Sequence, residues 1–219
     1  QNENTVGLLR NRFLGNARLS YQVVDWLTAN LRIGTDYYQD RRKYKIAYYT
    51  NGTPFGSYTE DAYGVSETNG EFTLNAKKKL GSDFDIDILA GANLRTNQFE
   101  QNYQQAPRLA VKDVYTLNNS RDPLISTSLL TRQKVYSGFA AAQVGFRNYA
   151  FVNLTARNDW SSTLPRGNNS YFYPSANASL VLSEALHIQS DVLTLLKLRG
   201  GWAQVGKDTD PYQEINTYP

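Results

Sequence analysis

The chain has 219 residues, of which 41% are hydrophobic and 20% charged, and its formal net charge is +3. It has no cysteine and one histidine, His187, which excludes disulfide scaffolds, thiolate or multi-histidine metal sites and thiol nucleophiles. The small net charge gives no basis for nucleic-acid binding, and no apolar run reaches the ~18–20 residues of a transmembrane helix. At 13%, the aromatic content is too high for a disordered chain.

Apolar and polar residues alternate with a period of two along most of the chain, the pattern of β-strands that have two different faces. The first stretch begins at Phe13, and a short link at 23–26 leads into the second. The third and fourth flank a tight turn at 81–83, and the fifth and sixth flank another at 147–149. In chain order, the eight predicted strands are 13–22, 27–33, 71–77, 84–95, 136–146, 150–159, 172–182 and 196–202. The second of these continues through Asp36 and Tyr37-Tyr38 to the charged run at 41–43.

Short and long connections alternate between these strands. Long polar segments at about 47–66, 100–128 and 162–171 are predicted as loops, because they are rich in Tyr, Gly, Thr and Asn. The connection at 183–195 opens with Ser183-Glu184 and predicts a short helix. The strict alternation of short and long links favours an up-and-down antiparallel sheet.

Two architectures produce alternating strands, a soluble β-sandwich and an outer-membrane β-barrel. Most of these strands run to about ten or more residues, near the ~9–11 that cross a bilayer and above the ~5–6 typical of soluble strands. Aromatic residues lie near strand ends, as in the girdles at membrane interfaces. The polar face carries charges of both signs, which suits a hydrated lumen: Arg18, Arg32, Lys77, Asp85, Asp87, Arg95, Arg157, Asp159, Lys197 and Arg199.

These features favour an all-β, antiparallel, up-and-down transmembrane β-barrel segment. Barrels of this type have short periplasmic turns and long external loops, so the long polar segments are expected outside the cell. The apolar side chains are expected to face lipid, whereas a soluble sandwich would bury them against a second sheet. The residues that discriminate between the two are Leu31, Ile88, Leu154, Leu180 and Leu198.

Specific motifs appear from the sixth strand onward. They are RNDWSSTLP at 157–165, NNSYFYPS at 168–175, LSE at 182–184 and LKLRGGWAQVG at 196–206, followed by Asp208 and Asp210-Pro211-Tyr212. These motifs resemble the SusC/RagA family of TonB-linked outer-membrane transporters. The resemblance covers about 138–212, while 1–137 resemble the family only in strand pattern, loop length and the Tyr/Asn-rich style of the loops.

The resemblance implies a 22-stranded barrel in a Bacteroidetes outer membrane, closed inside by an N-terminal plug domain. Such transporters pair with a SusD-like surface lipoprotein and import oligosaccharides or peptides with energy from TonB–ExbB–ExbD. Residues 1–219 would be about eight strands of the barrel domain, without the plug and the barrel ends. The absence of Met and the polar sequence at both ends favour such a segment. No enzymatic activity, cofactor or metal is expected.

Three groups of residues are candidates for contact with substrate, a partner or the cell surface. Arg157 and Asp159 lie on the predicted lumen face, where they either contact substrate or form a structural pair beside Trp160. The basic run at 41–43 either binds the anionic lipopolysaccharide surface or is an ordinary charged loop base. Tyrosines of the long segments either stack on sugars, contact the lipoprotein or simply follow the loop style of the family: Tyr48, Tyr49, Tyr58, Tyr63, Tyr103 and Tyr115.

Two alternatives remain open from the sequence. One is a TonB-dependent receptor for siderophores or cobalamin, which would differ in a plug that this segment does not contain. The other is a soluble extracellular all-β module that binds carbohydrate, which the Tyr-rich segments and the mean hydropathy of −0.54 would suit.

Overall fold

The computed structural model describes residues 4–165, 167–188, 192–206, 209 and 211. Eight strands form one sheet in the order β1 to β8, so each strand pairs with its neighbours in the chain. The predicted all-β, up-and-down antiparallel fold is therefore confirmed. The strands are β1 (Thr5–Val24), β2 (Leu27–Thr50), β3 (Thr53–Leu80), β4 (Phe84–Ala106), β5 (Ile125–Phe146), β6 (Ala150–Ser161), β7 (Ser170–Val181) and β8 (Lys197–Ala203).

The short connections lie where the sequence predicts them. Asp25-Trp26 separates β1 from β2, and residues 81–83 and 147–149 form the next two turns. Gly81, Arg147 and Asn148 have positive φ angles, as tight turns require. A single helical turn, α1 (Leu182–Ala185), opens the connection before β8 and confirms the predicted helix.

The segment at 47–66 is not a loop, and that prediction is wrong. β2 continues to Thr50 and β3 begins at Thr53, so Asn51-Gly52 is a two-residue hairpin turn with Gly52 at φ +80°. Asn-Gly is the strongest short hairpin signal, and the Tyr, Thr and Phe residues around it favour strands. A second glycine, Gly56 at φ +63°, is required because a side chain there would lie 2.5 Å from the Ile46 carbonyl oxygen.

The other two long connections are shorter than predicted. The connection between β4 and β5 spans 107–124 and contains a 3₁₀ turn at Leu117–Asn119, and that between β6 and β7 spans 162–169. Strands β1 to β5 are 20 to 28 residues long, well beyond the ~9–11 that cross a bilayer. Much of the sequence predicted as loop is therefore strand.

The chain forms two compact units, each drawing on several strands. Among the described residues, the buried apolar ones of the first unit are Ala47, Tyr58, Ala106 and Leu109, whereas Val135 is the one buried apolar residue of the second unit. The first unit comprises Gln1–Gly15, Gly34–Thr68 and Thr96–Gln133, and the second unit comprises Asn16–Ile33, Asn69–Arg95 and Lys134–Pro219.

In the second unit, the register of β5 to β8 produces one apolar and one polar face. Directly paired residues lie on the same face of a sheet, and each strand alternates between the faces. One face carries rows such as Val144–Val152–Ala178–Gly200 and Ala142–Leu154–Ala176–Trp202. The opposite face carries rows such as Gln143–Asn153–Asn177–Gly201 and Ala141–Thr155–Ser175–Ala203.

The apolar face is exposed, as expected for a barrel. Leu154 and Leu198 expose 51% and 58% of their surface, Leu31 and Ile88 are also exposed, and Leu180 is half-buried. These side chains do not form the buried core that a soluble sandwich would need. Within the described residues, no helix is long and apolar enough to cross a membrane.

Candidate functional site

Side chains from β1, β2 and β3 converge on the carboxylate of Asp40 in the first unit. Arg10 donates hydrogen bonds from Nε and Nη2 to Oδ1 and Oδ2 of Asp40, at 2.5 and 2.6 Å. Arg42 donates from Nη2 to Asp40 Oδ2 at 3.2 Å and also to the Tyr63 hydroxyl. The Asp40 side chain is fully buried by these partners, whereas Arg10 remains half exposed.

The charges in this cluster are fixed at neutral pH. The hydrogen bond from Arg10 holds the pKa of Asp40 well below its usual range, although burial opposes this. The hydrogen bond between Tyr63 and Asp40 raises the pKa of the Tyr63 hydroxyl. Two guanidinium groups thus face one carboxylate, so the cluster carries surplus positive charge and can attract an anionic group.

Guanidinium groups also lie over aromatic rings on this face. Arg10 lies 5.1 Å from the centre of the Tyr38 ring, and Arg42 lies 4.7 Å from that of Tyr63. Such stacking fixes the orientation of both partners and leaves polar edges available to a ligand. We call this surface the Asp40 face. A further ion pair on it joins Arg12 to Asp36, with an Nη2–Oδ2 distance of 2.5 Å.

The basic run at 41–43 is divided between the two faces of β2. Arg42 lies on the Asp40 face, whereas Lys43 points to the opposite face and pairs with Glu60 at 3.4 Å. A strand places successive side chains on opposite sides, so three consecutive basic residues do not form one patch. The signal that sequence reasoning missed is Asp40-x-Arg42, an acid and a base two residues apart on one strand.

Three of the predicted tyrosines belong to the small core of the first unit. Tyr58, which is 3% exposed, packs with Ala106 and Leu109, and the half-buried Tyr48 and Tyr115 pack against them. The Tyr48 hydroxyl donates to the Leu109 carbonyl at 2.6 Å. These rings hold the connection at 107–124 against the β2–β3 hairpin.

Polar contacts fix the 107–124 connection further. Arg108 pairs with Asp122, with Nε–Oδ2 and Nη2–Oδ1 distances of 2.5 and 2.6 Å. Asn119 closes the loop internally, donating to the carbonyls of Val111 and Val114 at 2.8 and 2.6 Å. The connection is therefore an ordered surface built from its own contacts.

The remaining two tyrosines of the long segments differ in exposure. Tyr49 adopts φ 65° beside the hairpin turn and exposes 80% of its surface, with the Lys112 ammonium 5.5 Å from its ring centre. Tyr103 is half-buried and donates to Gln105 Oε1 at 3.1 Å. Of the six tyrosines, Tyr49 is the exposed one and is open to a partner.

Arg157 and Asp159 lie together on the polar face of the second unit. Arg157 donates from Nε to Asp159 Oδ1 at 2.7 Å and from Nη2 to Ser137 Oγ at 2.8 Å. The guanidinium also lies 5.8 Å from the Phe139 ring centre. The pair therefore braces β5 against β6, and the partly exposed guanidinium remains accessible from that face.

No group of three or more His, Asp or Glu side chains suitable for a metal ion occurs among the described residues. Asp208, Asp210 and Tyr212, which belong to the family-like motif, lie outside the part of the chain that the structure describes.

The fold is similar to that of known transporter chains. The structure of the RagAB peptide importer in the "open-open" state matches with a TM-score of 0.84 and 17% identity, covering 92% of this chain and 23% of that chain. The "closed-closed" state gives a TM-score of 0.83 at 17% identity, covering 93% and 23%. A further RagAB peptide transporter structure gives 0.79 at 17% identity, covering 90% and 23%.

These matches bear on the fold alone. No protein-family model matches the sequence, and no curated protein matches it significantly. The chain spans about a quarter of the length of the matched transporter chains. The predicted β-barrel segment is nevertheless confirmed, because the eight strands follow those of a barrel transporter across nearly the whole chain.

Proposed function

We propose that this chain forms part of the barrel wall of an outer-membrane, SusC-like, TonB-dependent transporter that imports oligosaccharides or peptides. The observation that carries the proposal is the shared fold with RagAB transporter structures over 90–93% of the chain. The wall itself performs no chemistry. It would hold the plug, hydrate the lumen and position the surfaces that meet substrate and partner.

The two faces of the second unit support a membrane location. A barrel in lipid exposes an apolar outer face and a polar inner face, and both occur here with the required alternation. Trp160 and Trp202 are exposed near strand ends, where amphipathic rings favour the membrane interface. In this arrangement Arg157 and Asp159 face the lumen.

The substrate proposal relies on the Asp40 face. The matched structures are described as a peptide transporter and importer, which favours peptides over oligosaccharides. A peptide offers carboxylates to the surplus guanidinium charge around Asp40 and a backbone to the polar groups of Tyr38 and Tyr63. The same face would be less suited to an uncharged glycan, which offers no carboxylate to the surplus positive charge that remains after Arg10 and Arg42 have paired with Asp40.

The partner proposal relies on the exposed tip of the first unit. Tyr49 and Lys112 would meet a SusD-like surface lipoprotein, because exposed aromatic and cationic side chains are typical of such interfaces. The core of the first unit would support this surface through Tyr48, Tyr58 and Tyr115. The half-buried Tyr103 would lie at its edge. TonB–ExbB–ExbD would act through the plug region that the family resemblance implies.

Cysteine accessibility in intact cells tests the location and orientation. These 219 residues have no cysteine, so Asn51→Cys and Ser82→Cys, each made in a full-length protein whose other cysteines are replaced by serine, place single thiols at two exposed turns. A membrane-impermeant maleimide should label Asn51→Cys in intact cells and label Ser82→Cys only after the outer membrane is opened. Equal labelling of both positions in intact cells would instead support a soluble or surface-bound module.

Uptake of a fluorescent acidic oligopeptide by cells that express the full-length protein tests the substrate class. We expect uptake to require TonB and to fall when unlabelled peptide, but not siderophore, cobalamin or neutral oligosaccharide, is added. Competition by a siderophore or by cobalamin would favour the other TonB-dependent receptor class.

A further inference from the structure

An open groove crosses the apolar face of the second unit, and we call it the apolar groove. Its volume is about 490 Å³, within the ~300–1,000 Å³ of sites that hold small ligands. It extends across β2 to β6. The side chains and small residues that shape it are Leu31, Gly70, Phe72, Ala92, Leu94, Tyr136, Gly138 and Trp160.

The groove exists because small residues lie between large ones. Gly70 has no atom within 4 Å of the place where a side chain would begin, and a Cβ added at Gly138 would just reach the Trp160 ring, at 3.8 Å. Tyr136 and Trp160 are directly paired across β5 and β6, so their rings form one wall. The result is a furrow rather than a flat apolar face.

Further strands of a larger barrel would not fill this furrow. A sheet grows by pairing at its edge strands, here β1 and β8, whereas the apolar groove lies on the face of β2 to β6. Its occupant must therefore approach from the surrounding medium, which for this face of a barrel is lipid.

The exposed Lys134 side chain lies on β5 beyond the aromatic wall of the groove. Lys134 is two residues from Tyr136 on β5, so both point to the same side, and Lys134 is exposed. Its backbone is held in place because Lys134 N donates to Ser162 Oγ at 2.8 Å and Ser162 N donates to the Lys134 carbonyl at 2.9 Å. In the proposed orientation, this end of the groove faces the outer leaflet.

We propose that the apolar groove holds an acyl chain of a lipopolysaccharide molecule and that the Lys134 ammonium pairs with a phosphate of its headgroup. The inference rests on the proposed function, because it requires the apolar face to lie in an outer membrane. Apolar burial gives affinity for the chain, and a single cation near the interface favours a phosphate-bearing headgroup. A lipid held in this way occupies a specific site, unlike the bulk lipid that surrounds a barrel.

Native mass spectrometry of the full-length transporter, extracted from its outer membrane in mild detergent, tests the inference. Ala92→Leu fills the groove and should lower the retained lipopolysaccharide roughly tenfold, since it displaces about two methylene groups. Lys134→Ala should lower it about fivefold. Ala176→Leu is the matched control, since Ala176 is exposed on the same face outside the groove.

The amount of lipopolysaccharide that each variant retains decides whether the site exists. Equal retention in Ala92→Leu, Ala176→Leu and the unmodified protein overturns the site, as does retention of phospholipid in place of lipopolysaccharide. If Ala92→Leu fails to fold, Gly138→Ala provides a second filling variant, because a methyl group there fits at 3.8 Å from Trp160. A protein that passes the cysteine-labelling test and fails this one keeps the proposed function and loses the lipid site.

Discussion

The two units of this chain differ in how many of their apolar side chains they bury. The first unit encloses Tyr58 and Leu109 in a small apolar core and surrounds Asp40 with guanidinium groups. The second unit leaves side chains such as Leu154 and Leu198 exposed, and its described part buries Val135 as its one large apolar residue. Strands β1 to β5 contribute to both units, so the contrast arises along single strands.

The contrast shows which solvent each unit is adapted to. The core and the paired charges of the first unit suit an aqueous medium, because they remove apolar surface from water and compensate the buried charge. Apolar side chains of β1 such as Leu8, Leu9 and Phe13 nevertheless remain exposed in this unit. A sheet with one exposed apolar face gains no such stabilisation in water and needs an apolar medium. Substitutions in each unit test this division.

The largest effect is expected in the core of the first unit. Tyr58→Ala removes a buried aromatic ring and should cost about 3–5 kcal/mol of local stability. The 107–124 connection should then be cleaved by protease at least about 100-fold faster in the full-length protein, as its core contact is lost. Tyr49→Ala, at an 80% exposed position, serves as the control and should leave cleavage unchanged. Equal cleavage of both variants would remove the evidence for a separate core.

The next effect tests the apolar face of the second unit. Leu154→Arg places a charge among exposed apolar residues and should destabilise the full-length protein in lipid vesicles by about 2–4 kcal/mol in urea unfolding. Asn153→Arg, one residue away on the polar face, should change stability by less than about 1 kcal/mol. If both variants behave alike, the two faces meet the same solvent and the division fails.

A smaller effect is expected where the second unit is tightly packed. A side chain at Gly91 would lie 2.6 Å from the Phe139 ring and 2.8 Å from the Phe72 carbonyl oxygen. Gly91→Ala should therefore cost about 1–3 kcal/mol in the same urea unfolding experiment. Gly200→Ala is the control, because nothing lies within 4 Å of that position. A neutral Gly91→Ala would show that β4 can move away from Phe139.

The smallest effect concerns the charge cluster and is detected through its pH dependence. Because the pKa of Asp40 is lowered by Arg10, its contribution to stability is complete above the ordinary carboxyl pKa of about 4 and is lost as pH falls through the lower folded pKa. Asp40→Asn should therefore be less protease-resistant than the unmodified first unit at pH 7. The difference should shrink as the pH falls below about 4. A difference independent of pH would show that the Asp40 charge is not responsible.

The sequence predicts the strand arrangement well because alternation is a local signal. Residue type and spacing alone predict the turns at 81–83 and 147–149, the helical turn α1 at Leu182–Ala185 and the two faces of β5 to β8. The sequence underestimates the length of β2 and β3, because their Tyr- and Asn-rich residues are also typical of loops, although Asn51-Gly52 marks a hairpin turn.

The candidate residues were less predictable, since their partners are far away in the chain. The sequence singled out Tyr58 as a surface ring, but its burial depends on Ala106 and Leu109, more than forty residues away. Asp40 was missed because Arg10, its main partner, lies thirty residues earlier. The pairing of Arg157 with Asp159 was expected, because the two are only two residues apart on one strand.

The hairpin of β2 and β3 has a consequence for how such a surface can diverge. Residues 34–50 are continuous strand and extend for roughly 55 Å at about 3.3 Å per residue, up to the tip at Tyr49. Adding or deleting one residue in each strand would move the side chains of the Asp40 face to the opposite face of the sheet. Adding or deleting two residues in each strand would keep them on the same face and would shift the tip by about 7 Å. Viable relatives should therefore differ in the reach of this hairpin by even numbers of residues. The reach of this hairpin would then change in discrete steps of about 7 Å.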